Sequence, residues 1–146
     1  MSKAPRADFS IIARDNEHAA AEALAGGDFV KAFITVHALI EALLRLFLRV
    51  PEGREVTFTS LIKEYRDYLA AEQYPYWTFV EELTQFNRRR NRIVHELWRD
   101  GYTHTNHQAE PAARGAVALY SLFIEWIQTF DDEIAQLGFT IDELAQ

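Results

Sequence analysis

Apolar residues recur at spacings of three and four along almost the whole chain, and no stretch alternates as a half-buried strand does. The first helix this pattern predicts runs from about Asp8 to Ala25. It ends at Gly26-Gly27, where glycine enters the left-handed cap conformation without steric cost. Asp28 is placed to cap a second helix reaching about Arg49, with a seam of Phe29, Phe33, Val36, Ile40, Leu43, Phe47 and Val50. After the break at Pro51-Glu52-Gly53, a short third helix from about Thr59 to Glu72 turns Leu61, Ile62, Tyr65, Tyr68 and Leu69 inward.

Tyr74-Pro75 opens a fourth helix, since proline fits a first turn that needs no N–H partner, and Thr78 with Glu81 matches a capping box. This helix continues to about Arg99 and stops at Asp100-Gly101. The polar segment GYTHTNHQAEP then leads to a long helix from about Pro111 to Leu137, with a seam of Ala116, Leu119, Phe123, Ile127, Phe130, Ile134 and Leu137. A second capping-box pattern, TIDE at 140–143, marks one last short turn. The sum is an all-α chain, expected as an up-and-down four-helix bundle with an additional short helix. No internal repeat, low-complexity tract or linker divides it, and 146 residues suffice for one domain with a real core, so a single domain over 1–146 is expected.

Composition narrows the classes. With 49% hydrophobic and 25% charged residues the chain is ordinary for a globular protein and unlike a disordered one. The absence of cysteine removes disulfides, thiolate metal sites and a cysteine nucleophile. The stretch MSKAPRADFSIIARDNEH holds no apolar run long enough for a secretory signal or a membrane span, so a cytoplasmic protein without a membrane partner is expected. A net charge of −7 speaks against a broad nonspecific nucleic-acid binder. That total hides an asymmetry. Five of the fifteen Lys and Arg residues lie at 88–99, in FNRRRNRIVHELWR, while no Lys or Arg follows Arg114. A focused anion site on an acidic body is the picture that remains.

Within this segment the fourth helix has the seam Phe79, Leu83, Phe86, Arg90, Ile93 and Leu97, spaced four, three, four, three and four. Arg90 therefore takes a core-type position, where an unpartnered guanidinium is costly; it should pair with an acid or line a cleft. On the second helix, Glu41 is placed to support Arg90, or to pair with His37 or Arg45, each four residues away. Asn91 and His95 share a face that Arg88 and Arg99 approach. His95 lies about 140° round the helix from Arg90, at roughly 100° per residue.

Arg90-Asn91-Arg92-Ile93-Val94-His95 resembles the signature of the HEPN superfamily (higher eukaryotes and prokaryotes nucleotide-binding domain): an Arg, then a polar residue, commonly Asn, then a His after four to six intervening positions. The place of the motif in a late bundle helix, the chain length and a second helix ending ALIEALLRLFL fit the same family. The resemblance implies a metal-independent endoribonuclease that needs no cofactor, with its site commonly composed across a homodimer. It implies attack of an RNA 2′-hydroxyl on the adjacent phosphate, with His95 as general acid or base and Arg90 stabilising phosphoryl charge. Asn91 would orient the imidazole or the substrate, and Arg88, Arg92 and Arg99 would hold the RNA backbone. Small relatives of this kind act as toxins in toxin–antitoxin or phage-defence systems, which implies an antitoxin protein as partner. Others are non-catalytic nucleotide-binding or protein-interaction modules. Some members paired with nucleotidyltransferase antitoxins carry a Tyr two positions after the His. Leu97 stands there in this chain, so that modification is excluded.

Plainer readings stand beside these. Arg90 and His95 are otherwise a buried ion pair and a helix-surface histidine, and the outer arginines a solvated face. His104 and His107, three apart, read as part of a solvated loop, since two histidines do not make a metal site. Tyr74, Tyr76 and Trp77 are placed to stack on bases or to pack the bundle end. A homodimer about a twofold axis would bury Val94 and Trp98 beside the motif.

Overall fold

The computed structural model describes residues 5–74 and 78–136, and among them every regular element is a helix. The four long helices are α1 (Pro5–Ala25), α2 (Phe29–Phe47), α4 (Val80–Asp100) and α6 (Glu110–Gln128). Between and after them lie α3 (Phe58–Ala71), α5 (Tyr102–Gln108) and the single turn α7 (Glu133–Gln136).

The centre of the molecule is α2, the most apolar of the long helices. It touches α1, α3, α4, α5, α6 and α7, with its most extensive contacts to α1 and α6. Its expected seam is buried at Phe33, Val36, Ile40, Leu43 and Phe47. Leu39 and Leu44 widen that seam to the broad apolar face that a helix with several neighbours requires. Against it pack Leu61, Tyr65 and Leu69 of α3, Leu83, Phe86 and Ile93 of α4, and Ala116, Tyr120, Phe123 and Ile127 of α6. Several polar atoms carried into this core have partners, although the buried Thr105 hydroxyl has none among the described residues. Tyr120 donates to the Glu17 carboxylate at 2.5 Å, and Trp126 Nε1 donates at 2.7 Å to Tyr65, whose hydroxyl donates to the Thr78 carbonyl at 2.7 Å.

The helix ends depart from the sequence reading in instructive ways. Gly27, with φ of 79°, closes α1 as expected, and Gly101, with φ of 88°, closes α4. Asp28 is the N-cap residue of α2, but its side chain makes no cap hydrogen bond. Its carboxylate accepts a hydrogen bond from Tyr102, while Asn106 accepts from Val30 N–H at 2.9 Å and donates to Gly27 O at 2.9 Å. The side-chain cap hydrogen bond of α2 is thus supplied from α5. That explains why the polar segment at 101–111 is largely a helix and not the expected solvated loop: Thr105 is buried and Asn106 half-buried against the start of α2, while His104 and His107 stay exposed.

Nor does the Thr78–Glu81 capping box form. The cap residue of α4 is Phe79, at φ of 70° and without a side-chain cap bond; the Pro75 that should open the helix lies outside the described residues, as does TIDE. Finally, α6 ends at Gln128, well short of Leu137. Asp131 accepts from the backbone N–H of Glu133 at 3.1 Å and pairs with Arg49 at 2.9 Å. A carboxylate that caps a new turn and is held by the end of α2 competes with continuation of the helix.

Candidate functional site

A cleft of about 350 Å³ opens between α2, α4 and the segment leading into α3. Helix α2 contributes His37 and Glu41, one turn apart, and α4 contributes Asn87, Arg90 and Asn91, which share a face at spacings of three and four. Val56 to Thr59 form the remaining wall. That wall is tied to α2 by Arg45, which donates to the carbonyls of Arg54 and Val56 at 3.3 and 3.1 Å and pairs with Glu41 at 3.0 Å. Glu41 therefore pairs with Arg45 and not with Arg90. It shapes the cleft that Arg90 lines.

The inner surface is a relay of neutral polar groups on aromatic packing. The His37 ring lies between Phe58 and Phe86, with centroids 4.4 and 5.1 Å away. Its Nε2 donates to Asn87 Oδ1 at 3.2 Å, because a carbonyl oxygen can only accept, and Asn87 Nδ2 donates to Thr59 Oγ1 at 3.3 Å. Burial holds the His37 imidazole below its ordinary value of 6.5; the Asn87 hydrogen bond opposes this, the Arg90 guanidinium adds to it, and the Glu41 carboxylate opposes it. Charge from Arg90 thus reaches into the cleft.

That depression has a stability consequence. Between the lowered folded value and about 6.5, the unfolded chain binds the proton that folded His37 refuses. The contribution of neutral His37 is full above about 6.5 and is lost as pH falls below it. Wild-type protein is therefore expected to lose more stability than His37→Gln, which keeps an amide donor for Asn87, when denaturant unfolding is repeated at falling pH. Parallel pH curves for the two proteins would refute the assignment.

Arg90 itself is exposed, against its core-type place in the seam. Leu83, Phe86 and Ile93 on the same side of α4 are buried. At the level of Arg90 that side meets the cleft and no packed side chain, so the guanidinium stays in water and avoids the cost of burial. Among the described residues no carboxylate pairs with it. Its one hydrogen bond, at 3.1 Å, runs from Nη1 to the side-chain oxygen of the neighbouring Asn91, itself exposed.

The other expected site residues stand apart from this cleft. His95 is exposed, does not line it, and makes a T-shaped contact with Trp98, ring centroids 4.9 Å apart. Arg88 and Arg92 are exposed on the outer face, and neither forms an ion pair among the described residues. Arg99 is held by Asp100 through two hydrogen bonds of 3.2 and 3.3 Å, which leaves it less free than the others to engage an anion. The cleft thus brings together Arg90, Asn91 and Glu41, and His95 does not line it. Sequence reasoning passed over Asn87, Thr59 and Phe58. Asn87 carried a usable signal, lying three residues before Arg90, whereas nothing in the local pattern marks Thr59 at the start of α3.

Tyr74 packs against Trp126 and Phe130, with centroids 6.0 and 5.1 Å away, so it belongs to the bundle end; Tyr76 and Trp77 lie outside the described residues. No helix among the described residues is long and apolar enough to cross a membrane, and no cluster of three or more His, Cys, Asp or Glu among them is arranged to hold a metal. No protein-family model, curated protein or solved structure matches the chain.

Proposed function

We propose that the chain is a metal-independent endoribonuclease of HEPN type, a cytoplasmic single-domain bundle of four long up-and-down helices that acts as a homodimer. In the reaction, the 2′-oxygen of a ribose attacks the adjacent phosphorus as a base removes its proton. The bond from phosphorus to the 5′-oxygen breaks, and an acid protonates that leaving oxygen, so the products are a 2′,3′-cyclic phosphate and a 5′-hydroxyl. His95 serves as the general acid or base. Arg90 stabilises charge on the phosphoryl oxygens through its planar fork of donors, and Asn91 orients it. Arg88 and Arg92, with a smaller share from Arg99, hold the backbone of a single strand.

The observation that carries this reading is the state of Arg90. An arginine kept for structure would be buried and paired with an acid. This one is exposed at the mouth of a cleft, with no carboxylate partner among the described residues and an amide as its only hydrogen-bond acceptor. Beside the motif, Trp98 is 74% and Val94 41% exposed, an apolar patch of the kind a second protein surface covers. A role as a toxin or defence effector with an antitoxin partner is the biological form of the same proposal.

The test is direct. Purified protein is expected to cleave unstructured RNA in the presence of EDTA and to leave 2′,3′-cyclic phosphate ends. Intact RNA together with measurable nucleotide binding would move the assignment to a non-catalytic nucleotide-binding module, which the cleft also suits.

A further inference from the structure

The cleavage step as written uses only the mouth of the cleft, and the interior has chemistry of its own. Hydrogen-bonding capacity there is unequally divided. Asn87 has engaged its oxygen with His37 and one N–H with Thr59, which leaves its second N–H to donate. Thr59, having accepted from Asn87, keeps its own hydroxyl proton to donate. Arg90 retains all of its N–H groups except the one given to Asn91. The one carboxylate lining the cleft, Glu41, is already paired with Arg45. Donors and one unpaired cation therefore dominate, beside a small apolar edge from the half-buried Val56, since the Phe58 ring is buried against His37 and Phe86.

The complement of such a surface is an anionic ligand with a flat apolar body and carbonyl acceptors on its edge. A volume of about 350 Å³ fits a single small ligand of that sort. A base paired within an A-form helix would have to leave its stack to enter, whereas an unpaired one is free to do so.

We propose that this cleft is a nucleotide subsite that takes one unpaired uridine of RNA, with its phosphate on Arg90 and Asn91 and its uracil carbonyls on Thr59 and Asn87 beside Val56. Uracil presents two carbonyl acceptors, O2 and O4, on either side of a single N3–H donor, so acceptors outnumber donors on that edge, whereas the exocyclic amine of adenine would set a donor where uracil has O4. The proposal rests on the ribonuclease reading for its place beside the cleaved bond, although the binding itself does not depend on catalysis.

The experiment titrates the full chain, in EDTA, with uridine 5′-monophosphate, adenosine 5′-monophosphate and inorganic phosphate, and maps cut sites on an RNA of mixed sequence. Uridine monophosphate should bind several-fold more tightly than the other two. Thr59→Val, at an exposed position in the first turn of α3, should weaken that binding about five- to tenfold, the worth of one net hydrogen bond. Phosphate binding should be unaffected by the same change, and Thr59→Ser, which restores the hydroxyl, should recover the wild-type value. Arg90→Ala should weaken all three ligands. If wild-type protein cuts RNA but shows no uridine preference, or Thr59→Val leaves binding and cut sites unchanged, the subsite is overturned and the ribonuclease stands. If uridine monophosphate binds through Thr59 but no RNA is cut, the subsite stands and the catalytic reading falls.

Discussion

His95→Ala is expected to lower cleavage of single-stranded RNA by about 100- to 10,000-fold, the range for loss of a general acid–base group, while leaving the fold intact. The separation of the two effects follows from where His95 sits. It is exposed on α4, hydrogen-bonded to none of the described residues, and its ring makes a T-shaped contact with the exposed Trp98. Removing a side chain of that kind changes stability by no more than about 0.5 kcal/mol. Circular dichroism and thermal unfolding of the variant should therefore overlay those of the wild type, and the loss should appear in kcat. A variant that cuts RNA as fast as wild type would remove His95 from the mechanism. A variant that unfolds would give it a structural role that its exposed position does not explain.

How far the sequence carried this picture depends on which interactions are local. The helices of the core were legible because burial repeats every three or four residues, as Phe33, Ile40 and Leu43 on α2 show. The glycine stops at Gly27 and Gly101 were legible for a similar reason, since the left-handed conformation is a property of one residue. What could not be read were partners brought from afar. Asn106 caps α2 from a position 76 residues beyond Val30, and the Asp131 that helps end α6 answers to Arg49. Both override local choices, the Asp28 side chain as the cap and a continuous helix to Leu137, that were reasonable on propensity alone.

Arg90 shows the same limit inside the candidate site. Counting the seam gives its angular position on α4 correctly, between Phe86 and Ile93, both buried. Angle, though, is not burial. Whether a seam position is covered depends on what faces it, and here α2 and the 56–59 segment face it across open space. The motif was visible in the sequence. The cleft was not, since His37, Thr59 and Asn87 come from three separate elements and none is unusual where it stands.

Two inactive proteins, Arg90→Ala and His95→Ala, are expected to regain activity when combined in one dimer. Within a single chain the two residues lie about 140° apart round α4. Arg90 lines the cleft on the α2 side, whereas His95 stands with Trp98 on the open face. His95 therefore does not line the cleft in which Arg90 of its own helix would hold a phosphate. A twofold axis passing beside the exposed Val94 and Trp98 would cross the α4 helices of two protomers and offer the His95 of each to the Arg90 of the other. In a mixed dimer one composite site then has both side chains altered and the other has both intact. With random pairing, about a quarter of wild-type activity should return on co-refolding. Each variant alone should stay inactive, and adding Trp98→Glu to both chains should abolish the rescue together with the dimer seen by light scattering. Mixed dimers recovered through two different tags but without activity would place the working Arg90 and His95 in the same chain. A wild-type protein that is monomeric and active at micromolar concentration would remove the interface from the mechanism altogether.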